Sequence, residues 1–228
     1  MSAMDYSRVA HWYDTYVKTD IDVPFFAKEA KDCDRILELT SGTGRLSIPL
    51  IEAGISMTCV DNSPDMLAIL RQKLAAKGLS ANVYELDMCN LTLQEKFDLI
   101  IIPFNSFSEL ISTDEQRKAL KGIGNCLSKT GRFICTLHNP LIRLKSVNGQ
   151  LLLRGKHSLP NDEGRLFLWS AEEYDREKSL VKGTQFWELY DRNGVMKRKS
   201  FVDIQFYLLD TPTPPLLTSR FGGGILPS

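Results

Sequence analysis

The amino-acid sequence predicts an α/β fold: a doubly wound, mostly parallel sheet to which an antiparallel β-meander is added. Three observations predict it. Short, almost wholly apolar strands alternate with helix signals between residues 36 and 137. A Ser-Gly-Thr-Gly turn, residues 41–44, joins the first of those strands to an apolar-striped helix. After Pro140 the period changes, and long stretches alternate between apolar and polar residues. Strands apolar on both faces and separated by helices belong to a parallel sheet covered on both sides, whereas alternation marks an antiparallel sheet with one wet face.

The elements follow in order. Residues 5–31 form a helical preamble carrying Tyr6, Trp12, Tyr13 and Tyr16. Ile36 to Leu39 is the first strand, and the helix after the glycine turn contains Pro49, which is expected to bend it. Met57 to Asp61 is the second strand. Ser63-Pro64-Asp65 then opens a helix with a capping serine, proline at the first position and an acid in the first turn. Met66, Leu67, Leu70 and Leu74 recur at helical spacing until Gly78. Val83 to Leu86 is the third strand and Phe97 to Ile102 the fourth; Ser112 to Gln116 holds capping-box chemistry for another helix, and Arg132 to Leu137 is the fifth strand. Three further strands, Leu166 to Tyr174, Leu180 to Tyr190 and Lys199 to Leu208, make the meander; in the last, Val202, Ile204, Phe206 and Leu208 share one face, opposite Asp203 and Gln205. The expected organisation is therefore a core over residues 1–140 with a helical lid at its start, a β-insert over 141–210 that covers the strand ends, and a Pro/Gly-rich, poorly ordered tail over 211–228.

Composition excludes several classes. With 28 basic and 28 acidic residues the formal net charge is +0, which disfavours an extended nucleic-acid footprint. The five cysteines are scattered without a CxxC pair, so neither a zinc site nor a disulfide framework is indicated, and a reducing cytoplasm suits them. No apolar run approaches the ~18 residues of a membrane span, and a signal-peptide core is lacking.

The chemistry concentrates at strand ends. A glycine turn between strand and helix lets a ligand approach the backbone where a side chain would block it. Carboxylates then recur at the ends of the next two strands, Asp61 and Asp87. Asp61 stands 17 residues after Gly44, close to the ~20-residue offset at which an acid meets a ribose diol across an intervening helix. A vicinal diol presents two donors, and one carboxylate accepts both. The series points to an adenosine-type cofactor lying across the ends of parallel strands; the alternative for either acid is a turn or helix cap. His138, after the fifth strand, is the candidate general base, or else a loop histidine serving the turn before Pro140. Tyr13, Asn105 and Trp169 could line an acceptor pocket or belong to the core. No carboxylate cluster suggests a metal.

Over residues 5–140 the chain resembles the Rossmann-like (class I) S-adenosylmethionine (SAM)-dependent methyltransferases of small-molecule type. The family's first motif usually reads acid-x-Gly-x-Gly-x-Gly; here Glu38-Leu39-Thr40-Ser41-Gly42-Thr43-Gly44 stands in its place, with Thr40 where the first glycine belongs. The resemblance implies that Thr40, Ser41, Gly42 and Gly44 hold the methionine end of SAM, with Glu38 at or beneath that loop. It implies Asp61 on the ribose hydroxyls with Asn62 beside it, Asp87 on the adenine amino group, and Met66 and Met88 as apolar contacts. Phe97 to Phe104 matches the fourth motif, which places Phe104 near the cofactor, and the aromatic preamble resembles lid helices, which adds Tyr6 and Tyr13. The implied reaction is metal-independent, in-line transfer to a small-molecule acceptor, with no nucleic-acid or membrane partner and a cytoplasmic location. The sheet of this family has seven strands, and its last hairpin has no counterpart before the Pro/Gly tail. The fifth strand is then an open edge for the insert, the tail or a homodimer partner to cover. Two other readings compete: a SAM-binding or interaction protein without turnover, and a nicotinamide-dependent oxidoreductase, which would want a third glycine where Ser47 stands.

Overall fold

A computed structural model describes residues 4–209, so the expected tail over 211–228 lies outside the described residues. The chain forms two compact units. One contains residues 19–107 and 112–137; the other gathers residues 4–18, 108–111 and 138–209. The start of the chain, expected within the first contiguous segment, thus folds with the β-insert.

In the first unit, strands β1 (Ile36–Leu39), β2 (Met57–Asp61), β3 (Asn82–Glu85), β4 (Phe97–Ile102) and β5 (Leu127–Cys135) make a parallel sheet in the order β3-β2-β1-β4-β5. The central strand β1 is buried along its whole length, as a strand covered on both faces requires. Helices α2 (Val23–Ala30), α3 (Ser47–Glu52) and α4 (Pro64–Lys77) contribute Phe26, Leu50, Leu67 and Leu70 to a cluster with Ile36, Cys59, Leu99 and Ile101 of the sheet. Strand order reverses at β1, and in such sheets ligands sit beyond the strand ends at that point.

Local signals act as their chemistry dictates. Ser63 accepts from the Met66 amide, Pro64 takes the first helical position, and Gly78 closes α4 in the left-handed conformation. Ser112 and Glu115 form a reciprocal capping box at the start of α5 (Thr113–Cys126). Helix α3 has six residues, and Pro49 lies in its first turn, where a missing amide proton leaves no intrahelical bond unmade. The amino-terminal preamble is a 3₁₀ turn (Tyr6–Arg8) and two short helices, α1 (Ala10–Tyr16) and α2. Strand β5 begins at Leu127, five residues earlier than expected, because a bulge carries it past Gly131, where a Cβ would lie 2.6 Å from the Phe97 carbonyl oxygen.

The second unit holds α1, the short helix α6 (Pro140–Arg143) and an antiparallel sheet, β6-β7-β8-β9, formed by Leu151–Ser158, Gly164–Asp175, Leu180–Asp191 and Met196–Tyr207. Val202, Ile204, Phe206 and Leu208 are buried against Leu166, Val181, Trp187, Val9 and Trp12, while Asp203 is exposed. The sheet has a fourth strand, β6, that the sequence reading did not include. Its alternation is broken where the register shifts between Leu153 and Gly155, and Leu151 and Leu153 are exposed.

Candidate functional site

The residues singled out around the first glycine turn come together at the ends of β1 and β2. Three of them take left-handed backbone: Thr40 at φ 60°, Gly42 at φ 54° and Gly44 at φ 87°. Gly44 is needed for packing as well as conformation, since a Cβ there would stand 2.4 Å from Leu70 Cδ1. Gly42 faces Met66, whose Cε would lie 3.3 Å from an added Cβ, so Met66 forms the apolar floor of the turn. Thr40 shows why glycine is the residue expected at its position. A β-branched side chain at positive φ is strained, and Thr40 Oγ1 donates to the carbonyl oxygen of Leu39 at 2.5 Å.

Asp61 holds this turn in place. Its Oδ2 accepts the Gly42 N–H at 2.8 Å and its Oδ1 accepts the Ser63 N–H at 2.9 Å, so one carboxylate ties the glycine turn to the start of α4. Burial raises its pKa, opposed by the amide bonds from Ser63, Gly42 and Asn62. Each carboxylate oxygen keeps acceptor capacity beyond one N–H bond. Asn62 itself is exposed. The β3 exit is pinned to the same place, because the Leu86 N–H donates to the Asp61 carbonyl. There Asp87 caps a 3₁₀ turn (Met88–Asn90) and accepts the Cys89 N–H at 2.8 Å, with Met88 half-buried beside it.

Glu38 lies beneath the turn, 1% exposed, and accepts a hydrogen bond from Ser47 Oγ. Burial pushes its pKa up to about 8, against the opposing influence of the Ser47 bond and the Arg45 charge. Between the ordinary value of 4.5 and about 8, the folded protein keeps this proton and the unfolded chain releases it, so folding stability declines as pH rises through that window. Glu38→Gln should remove this part of the pH dependence. Urea midpoints for wild type and variant, compared at the two ends of the window, check it; parallel pH profiles would show that Glu38 is ionised in the folded protein.

At the β4 exit, Phe104 and Asn105 are consecutive non-glycine residues at φ 57° and 64°. Phe104 is 42% exposed and lies under the Arg45 guanidinium, 4.8 Å from its ring centroid; the Asn105 N–H donates to Thr136 Oγ1 at 2.9 Å. Two strained residues held by specific bonds are a feature of functional loops. Arg45, absent from the sequence-based site, is the organiser here. Besides Phe104, it forks onto both oxygens of Asp22 at 2.5 and 2.7 Å and donates to the Thr19 carbonyl. Its position directly after Gly44 was the available signal; nothing in the sequence marks Asp22 as its partner.

Tyr6, Tyr13 and His138 belong to the other unit. Tyr6 and Tyr13 meet edge to face, with ring centroids 6.3 Å apart. His138 lies against the Phe206 ring at 4.8 Å. Burial, then the neighbouring Arg143 charge, pull its pKa down to about 4, so it is uncharged near neutral pH.

One observation tests whether SAM suits the turn. Ser41 is 4% exposed, and its Oγ has no hydrogen-bond partner. A buried hydroxyl without a partner is costly, and a ligand group at the turn would satisfy it. Together with the Asp61 carboxylate and the close backbone approach at Gly42, the donor set fits an amino-acid and ribose-bearing cofactor.

Comparison with known proteins agrees. Residues 36–131 match the methyltransferase domain family. A protein of Geobacillus sp. (strain WCH70), provisionally named as a methyltransferase, is 25% identical over 217 residues, covering 90% of this chain and 85% of that one. The glycine/sarcosine N-methyltransferase of Aphanothece halophytica is 32% identical over 128 residues, 54% of this chain and 48% of that enzyme, so the chain spans about half its length. A SAM-dependent methyltransferase structure from Clostridium acetobutylicum superposes with a TM-score of 0.73 at 23% identity, over 90% of this chain and 82% of that one. Residues 36–131 are thus similar to a methyltransferase domain, and the fold is one shared with SAM-dependent methyltransferase structures.

Proposed function

We propose that this protein transfers the methyl group of SAM to the amine nitrogen of a small-molecule acceptor. The observation that carries the reading is the glycine turn of a methyltransferase domain, tied to Asp61 and containing the unpartnered Ser41 hydroxyl. A relative that methylates glycine and sarcosine supports nitrogen as the acceptor atom. When bound, SAM would supply an electrophilic methyl group carried on a sulfonium, held at the glycine turn and Asp61. An unprotonated amine is nucleophile enough for this, so the protein's work is positioning and exclusion of water.

In this reading the backbone of Thr40 to Gly44 and the Ser41 hydroxyl take the methionine end, and Glu38 sets the turn from beneath. Asp61, with Asn62 beside it, takes the ribose diol; Asp87 takes the adenine amino group. Met66, Met88 and Phe104 flank the cofactor. His138, uncharged near neutral pH, orients the acceptor as a hydrogen-bonding imidazole; a conjugate acid near pKa 4 makes a poor proton store. The chain works in the cytoplasm, and a homodimer would cover the outer edge of β5, which pairs with no strand among the described residues. The test is calorimetric titration of SAM, S-adenosylhomocysteine and NADH into the full chain. Saturable binding of both adenosyl ligands without NADH is expected. Binding of NADH alone would overturn the reading.

A further inference from the structure

We infer that the outer face of the antiparallel sheet β6-β7-β8-β9 is the contact surface for a second copy of this chain; the inference does not rest on the methyl-transfer reading. Side chains alternate between the two faces of each strand. One face carries Leu166, Val181, Trp187, Val202 and Ile204 into the core of the unit. The residues between them take the other face, and the strand register lines them up in rows. Leu153, Trp169, Phe186 and Phe201 stand directly opposite one another across all four strands. Beside them runs a second row, Leu151, Ala171, Thr184 and Asp203. Leu151, Leu153 and Phe201 are 58%, 49% and 55% exposed, and apolar residues clustered in this way mark an interaction surface.

The face is complementary to itself. Next to the bulky row lies a hollow of about 370 Å³ over Ala171, Gly183 and Thr184, edged by Glu173, Asp203 and Gln205. A two-fold axis running across the strands, between the two rows, lays the bulky row of each copy on the small row of the other. Trp169 then meets the partner's Ala171, Phe186 the partner's Thr184, and Leu153 the partner's Leu151. Phe201 meets the partner's Asp203 at the rim, where the Thr184 hydroxyl donates to Asp203 at 2.8 Å. Such a contact is isologous, so every pairing occurs twice. One row further out on each side, Glu188 lies beside Phe167 and Lys182 beside Glu173, and the same axis sets Glu188 opposite the partner's Lys182. Within one chain Glu188 pairs with Lys199 at 3.2 Å and Lys182 with Asp175 at 3.8 Å, so the contact extends these pairs into a network of alternating sign. That mixture suits a copy of the same face better than a surface of one charge. The size is also right. Three of the strands have 12 residues and β6 has 8. At ~3.3 Å per residue and ~4.8 Å between strands the face measures roughly 700 Å², close to the ~800 Å² that each partner brings to a standard interface.

Sedimentation velocity of the full chain over a concentration series is the test, with far-ultraviolet circular dichroism to show that each variant is folded. Wild type should be chiefly dimeric at ~10 μM, since interfaces of this size reach micromolar affinity or better. Phe201→Lys should raise the dimer Kd by about tenfold or more. Lys182→Glu should raise it several-fold, and it keeps the test open if Phe201→Lys does not fold. Lys182→Glu combined with Glu188→Lys should recover most of that loss, because the exchanged charges meet again across the axis. A monomeric wild type overturns the inference. So does a dimer that neither Phe201→Lys nor Lys182→Glu weakens, which would move the contact to another surface such as the outer edge of β5. A double variant no better than Lys182→Glu overturns the two-fold placement.

Discussion

Replacing Glu172 by alanine is expected to lower the unfolding free energy by about 3–5 kcal/mol, the usual consequence of removing one partner from a buried ion pair. Glu172 is 3% exposed, in the middle of β7. Arg143 donates to its Oε2, while Oε1 accepts from Ser170 Oγ at 2.7 Å and from Arg154 at 3.3 Å. The two arginines are themselves braced, Arg143 by Ser146 Oγ at 2.9 Å and Arg154 by Ser170 Oγ and the Ser146 carbonyl at 2.6 and 3.1 Å. The Glu172 carbonyl also accepts the Gly149 N–H at 2.8 Å. One carboxylate thus fastens α6 and the segment after it to the sheet. Without it, two guanidiniums of like sign face each other in a space that admits little water. Their side chains are 20% and 24% exposed, so partial rehydration should hold the loss toward the lower end of the range. Urea denaturation of wild type and Glu172→Ala, read by far-ultraviolet circular dichroism, is the measurement. A difference under about 1 kcal/mol would mean that the arginines find other partners and that the network carries little of the unit's stability.

That network also marks the limit of what the sequence discloses. The parallel unit was legible because its signals are local: an apolar strand, a glycine turn, a capping serine with proline behind it, a reciprocal Ser112–Glu115 box. Each depends on residues within a few positions of one another, and each acts in the structure as its chemistry requires. The glycine turn and the strand-end position of Asp61 were legible for the same reason. What stayed hidden depends on distant pairs. Arg45 and Asp22 are 23 positions apart, Glu172 and Arg143 are 29, and Tyr6 and Glu109 are 103. No spacing rule links residues at such separations, and a lone carboxylate such as Glu109 carries no local mark of its partner. Strand β6 was missed for a third reason: its bulge at Gly155 breaks the period by which strands are recognised. The shortness of the helix that holds Pro49, six residues, was likewise not legible, because no local signal marks where it stops.

Asp61→Ala should weaken SAM binding by about 1–3 kcal/mol, a roughly 5- to 150-fold rise in Kd, because charge-assisted hydrogen bonds are lost. The difficulty is that Asp61 has two jobs in the structure. It already accepts the amides of Gly42 and Ser63, so its removal disturbs the glycine turn even if no ribose touches it. Affinity alone does not separate capping from ligand contact, but a pair of variants does. Ser41→Ala removes a buried hydroxyl without a partner, so it should leave stability unchanged or slightly raised while weakening SAM. Asp61→Asn keeps one oxygen for an amide but turns an NH₂ group toward the other donor, so it should lose both stability and affinity. The two losses can then be compared by thermal melts with and without saturating S-adenosylhomocysteine. If Asp61 contacts the ribose, the Asn variant should bind 5′-deoxy-5′-methylthioadenosine, which keeps the ribose but lacks the methionine end, as poorly as it binds SAM relative to wild type. Ser41→Ala should affect SAM and spare that fragment. An Asp61→Asn variant that loses stability yet binds the fragment as wild type does would reduce Asp61 to a cap for the turn, and the ribose would have to be held elsewhere.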